Sequence, residues 1–103
     1  MAKPGAQMAV GTYEGTGAAI TVDLGFLPDW VRIVNVEDGD DIHEFYRGMT
    51  DDTSIQISTA VALNAADGIT LNSGSATVEA GFTVGTDVSE SGKTFRYVAL
   101  ASV

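Results

Sequence analysis

Residues 11–35, GTYEGTGAAITVDLGFLPDWVRIVN, hold two extended segments and the break between them. Ile20, Val22 and Leu24 alternate with Ala19, Thr21 and Asp23, the period-two pattern of a strand with one buried face. Gly25-Phe26-Leu27-Pro28-Asp29 interrupts it, because proline fixes its own φ and has no N–H to give to a ladder. Trp30 to Val36 then resumes as an apolar run on both faces except at Arg32 and Asn35, which predicts a central strand.

On the N-terminal side, Met8 to Glu14 places Met8, Val10, Thr12 and Glu14 on one face and Ala9, Gly11 and Tyr13 on the other. Gly15-Thr16-Gly17 has turn composition, so this strand is expected to form a hairpin with Ala19 to Leu24. On the C-terminal side, Glu37-Asp38-Gly39-Asp40-Asp41 reads as a turn, and Ile42 to Arg47 as a strand returning onto the central one. Gly48 to Thr53 is a polar loop, and Ser54 to Ser58 alternates around Ile55 and Ile57. Residues 59–68 leave two readings open: their alanines favour helix and Gly68 suits a helix C-cap, but the segment is short for one. Ile69 to Leu71, Ala76 to Val78, Gly81 to Val84 and Phe95 to Ala99 complete a set of about eight short strands, with a flexible hairpin loop over residues 85–93. The spacing predicts an all-β fold, a compact antiparallel sandwich or barrel with at most one short helix, because no helical segment is long enough for a parallel crossover. Trp30, Phe26, Phe45, Tyr13, Phe82, Phe95 and Tyr97 are the expected bulk of its core.

The wording of the opening stretch, GTYxGxG followed by LGFxPDW and an apolar run ending in Asn35, resembles a module of tailed-bacteriophage virion proteins. Residues 91–99, SGKTFRYVA, are similar to the closing strand of that module. It occurs in small capsid-associated decoration proteins and in tail-fibre or receptor-binding proteins. The resemblance implies a jelly-roll-like virion structural protein. Its leading form is a cement protein on the outer surface of the assembled head, made in the host cytoplasm, with the major capsid protein and copies of itself, as a homotrimer, for partners. The alternative it leaves is a tail-fibre module recognising host-surface glycans. A chain of 103 residues beginning at Met1 favours the free-standing head protein.

Size and charge agree with such a role. One domain is expected, residues 8–103, preceded by an N-terminal arm over residues 1–7 that Pro4 keeps extended. A chain this short buries only about 60–65% of its unfolded surface, so association is a natural source of added stability. The arm residues Ala2, Lys3, Pro4, Gly5, Ala6, Gln7 and Met8 are the expected capsid or subunit contacts, able to add a strand to a neighbour's sheet edge. Fourteen acidic residues against five basic ones give a formal charge of −9. Nucleic acid is therefore not an expected partner, since phosphate affinity comes from Lys and Arg, and here these are scattered. No segment reads as a signal peptide or reaches the roughly eighteen apolar residues of a membrane span. Cysteine is absent, which removes disulfides and thiolate metal sites.

The chemical motifs are weak. Gly92-Lys93-Thr94 imitates the end of a phosphate loop, but Asp87 stands where that loop needs glycine, and a strand follows instead of a helix. The glycines of residues 11–17 do not match a dinucleotide fingerprint and read as turn and bulge positions. The acidic run at residues 37–41 lacks the ligand pattern of a calcium loop and reads as a solvated turn. His43, the single histidine, has no cysteine or Gly-x-Ser-x-Gly elbow to activate, and Glu44 points to the opposite face; a surface or interface position is expected. Trp30, flanked by Val31, Ile33 and Val34, reads as core in preference to an exposed sugar-stacking platform. No enzymatic activity, cofactor or metal is expected.

Overall fold

The computed structural model describes residues 7–39 and 41–102. Eight strands, β1 (Gln7–Glu14), β2 (Ile20–Asp23), β3 (Trp30–Asn35), β4 (Ile42–Tyr46), β5 (Thr53–Ile57), β6 (Val61–Asn72), β7 (Gly81–Val84) and β8 (Thr94–Ala101), form one antiparallel sheet. Their order is β1-β8-β3-β4-β5-β6-β7-β2, and the sheet curls into a half-barrel. The all-β reading holds, and β3 is central, between β8 and β4.

The curl has a local cause in β6. Thr53 pairs with Ile69 but Ser54 with Asn64, so residues 65–68 leave the ladder as a bulge, which bends and twists a strand. Asp67 takes a left-handed φ of 59° there. Gly68 lets the backbones close up: a Cβ on it would stand 2.5 Å from the carbonyl carbon of Thr53. Beyond this corner the second half of β6, β7 and β2 form a narrow limb that folds over a broad limb of β1, β8, β3, β4, β5 and the first half of β6.

The core lies between the limbs. Val31, Ile33, Phe45, Phe95 and Ala99 face inward from the broad limb, against Ile69, Phe82 and Val84 from the narrow one. Phe82 meets Tyr97 edge to face at a centroid distance of 5.4 Å, closing the fold across strands far apart in the sheet. Tyr13 stacks on Phe95 at 5.2 Å and donates its hydroxyl to Val88 O at 2.7 Å, so the edge strand β1 is strapped to the segment after β7.

Several expectations are corrected. β1 and β2 do not form a hairpin; they occupy opposite edges, because β1 finds eight partners on β8 and β2 finds four on β7. Residues 61–72 are one long strand with no helical turn, since pairing with β5 and β7 outweighs alanine propensity. Residues 76–78 are not a strand. Residues 85–93 are not a flexible hairpin loop either: a 3₁₀ turn, Thr86–Val88, drives Val88 into the core and buries Ser89. Trp30 is not a core residue. Strand parity sends Val31, Ile33 and Asn35 inward, and therefore Trp30, Arg32 and Val34 outward.

Candidate functional site

The PDW words are spent on holding strand ends. Pro28 is buried, and Asp29 accepts from the Ser102 backbone N–H at 2.7 Å and from its hydroxyl at 3.1 Å. These bonds, with Arg47 Nε 3.1 Å from the other carboxylate oxygen, hold the Asp29 carboxyl below the usual range. Arg47 also donates to the Leu27 and Pro28 carbonyls at 2.7 and 3.3 Å, so the break before β3 is tied to the end of β4.

Of the expected contact residues, Ala2, Lys3, Pro4, Gly5 and Ala6 lie outside the described residues. Gln7 and Met8 open β1, both exposed, at a sheet edge. Among the described residues β1 pairs only with β8, and its eight residues carry one charge, at Glu14, and no proline. Such an edge is a template for another strand. Its inward side is crowded by Tyr97, whose hydroxyl oxygen would stand 2.5 Å from a Cβ on Gly11.

The outward side of β1 continues into the outer face of the broad limb, where cross-strand register builds three rows. The first runs Met8–Leu100–Trp30–Tyr46. The second, six strands wide, runs Val10–Val98–Arg32–Glu44–Ile55–Leu63. The third runs Thr12–Arg96–Val34–Ile42–Ile57–Val61. Met8, Leu63 and Val61 are 65%, 65% and 69% exposed, large values for apolar side chains of a folded domain. Arg32 and Glu44 form an ion pair at 3.2 Å in the middle of the face. The rows thus hold two of the five basic residues and one of the fourteen acidic ones. The apolar run on both faces of β3 predicts the central strand, but only register across six strands reveals this face.

His43 is buried, not at the surface, and shares a 2.7 Å hydrogen bond between Nδ1 and Ser54 Oγ. Its Nε2 lies 3.4 Å from Asp41 without completing a hydrogen bond, and Asp41 accepts from Gln56 Nε2 at 2.9 Å. Burial lowers the imidazole pKa, against opposing pulls from Asp41 and Asp87. Serine, histidine and aspartate in contact evoke a hydrolytic triad, but Ser54 is fully buried and no cleft opens among the described residues. This group braces the β4–β5 pair. Sequence reading missed Ser54 because it lies eleven residues from His43; pairing His43 with Gln56 would have found it, two residues away on the same face.

The acidic turn also has structural partners. Asn35 Oδ1 accepts from the backbone N–H groups of Glu37 and Asp38, Lys93 reaches Asp38 at 3.2 Å, and Thr94 donates to Glu37 at 3.0 Å. That contact with Asp38 raises the Lys93 pKa. These carboxylates diverge to separate partners, and no metal-holding group occurs among the described residues; Asp40 lies outside them. Gly92 takes φ 80° in a turn, as expected, and Thr94 already opens β8.

No family model matches the chain, and neither a curated protein nor a solved structure matches it.

Proposed function

We propose that this chain is a bacteriophage capsid decoration protein, binding the outer surface of the assembled head and stabilising it as an oligomer. The observation that carries the reading is the unguarded β1 edge, which continues directly from the arm expected to reach a neighbouring subunit. An edge with free backbone donors and acceptors, and with Met8 and Val10 exposed beside it, suits strand addition to a protein lattice. The GTYxGxG and LGFxPDW words add the resemblance to phage virion proteins. A protein that binds assembled shells in preference to free subunits stabilises them by mass action.

Fractionation of a lysate of the encoding phage tests this. The protein is expected to sediment with heads and to raise their resistance to heat or low ionic strength. Recovery with tails alone would replace the reading with the tail-fibre alternative. Deleting residues 2–7 should lower head occupancy more than it lowers the melting temperature of the domain; unchanged occupancy removes the arm from the mechanism.

A further inference from the structure

The middle row of the broad limb's outer face has a symmetry that its neighbours in the fold do not explain. Along the middle row, Val10 and Val98 flank Arg32 on one side, and Ile55 and Leu63 flank Glu44 on the other. The order is apolar, apolar, positive, negative, apolar, apolar. A two-fold axis parallel to the strands, passing above the gap between β3 and β4, reverses strand order and keeps position along the strand. It lays Arg32 of one copy over Glu44 of the other, Val98 over Ile55 and Val10 over Leu63. In the adjacent row it lays Trp30 over Tyr46. An isologous contact requires this reciprocity, each residue meeting its counterpart's partner.

We infer that this face is covered by a second copy of the same chain, packed sheet on sheet. Two molecules of charge −9 repel through most of their surface. The three rows, with Arg32 and Arg96 set against Glu44, carry no acidic excess, so this face can approach its own copy. The area suffices as well. With one row across four strands and two across six, strands about 4.8 Å apart and rows about 6.7 Å apart span roughly 500 Å² in projection. Side-chain relief raises the accessible area toward the roughly 800 Å² per partner of an ordinary specific interface. Two sheets stacked about 10 Å apart bury such faces as a sandwich core does.

The inference deepens the oligomeric part of the reading above, as a dimer in place of the homotrimer that the resemblance implies, and rests on it only there, because self-association and head binding are measured separately. Sedimentation equilibrium of the full chain, over a range of concentrations at neutral pH, is expected to give twice the 10.7 kDa monomer mass. Arg32→Glu, at the centre of the face, should weaken association at least about 100-fold, and Leu63→Glu, which sets a charge against Val10 at its end, about 10-fold. Mixing Arg32→Glu with Glu44→Arg should restore it as a mixed dimer, an outcome particular to pairing between copies, because the 3.2 Å pair within each chain stays broken. Thr21→Glu, on the outer face of the narrow limb, should leave the mass unchanged. Circular dichroism of each variant confirms that the domain is folded. A monomer across the whole range, or an assembly that Leu63→Glu and Arg32→Glu leave intact, overturns the inference. A dimer that fails to bind heads would overturn the decoration reading and leave this one standing.

Discussion

The outer faces of the two limbs obey the same strand alternation and end with opposite chemistry. On the narrow limb the outward residues are Thr21 and Asp23 of β2, Thr83 of β7, and Thr70 and Asn72 of β6. They satisfy one another: Thr21 and Thr83 hydroxyls lie 3.1 Å apart, and Asn72 donates to Thr83 at 2.9 Å. On the broad limb the equivalent positions are mostly valine, isoleucine, leucine and aromatic, broken by the Arg32–Glu44 pair. One chain therefore builds a face finished for water and a face that water serves poorly. Period two assigns sides of a sheet, and the chemistry on each side says what that side meets.

The comparison can be tested first from the core the two limbs share. Phe82→Ala removes the narrow limb's main insertion against Tyr97 and should lower stability by about 3–5 kcal/mol in chemical denaturation. A loss below about 1 kcal/mol would mean that the narrow limb is not needed to close the core. Leu63→Thr and Val61→Thr should then separate the faces. Both side chains are exposed in the single chain, so its stability should move by no more than about 0.5 kcal/mol, while sedimentation shifts toward monomer. A large stability loss with unchanged mass would assign these residues to folding instead.

A smaller effect concerns pH. His43 is kept below its ordinary pKa chiefly by burial, so the unfolded chain binds its proton first as pH falls. The stability contribution of neutral His43 is full above the unfolded pKa of about 6.5 and declines as pH drops from there toward the lower folded-state value. Denaturation midpoints should fall between pH 7 and 5, and His43→Asn should flatten that slope; an equal slope in the variant would place the titration elsewhere. The smallest effect is expected from Thr21→Val on the finished face, where an exposed hydroxyl pair is lost and the mass stays the same. A gain in association there would show that any added apolar surface, not the particular broad face, drives assembly.

Much of the local structure was legible in residue order. Alternation located β2, β5 and β7, and the acidic Asp-Gly turn correctly joined β3 to β4. What failed was everything decided by distant partners. The glycines after Tyr13 look like a hairpin, but they connect two strands at opposite edges. Ala62, Ala65 and Ala66 lie in a strand because β5 and β7 supply ladder partners on either side of its bulge. Trp30 looks like core by its neighbours, but parity within β3 decides its side, and Val31 and Ile33 take the inner positions. The broad face was invisible for the same reason: Val10, Val98, Ile55 and Leu63 become neighbours only when five separate registers are superposed.

The long register between β1 and β8 has a mechanical meaning. Gln7 lies opposite Ala101 and Glu14 opposite Thr94, so all eight residues of the edge strand are matched. A pull along β1 from its Gln7 end stretches that whole ladder in shear, and its rungs must give way together. A pull across the sheet would peel them one at a time. An anchor entering in line with β1 would therefore hold against sudden strain far better than one entering from the side.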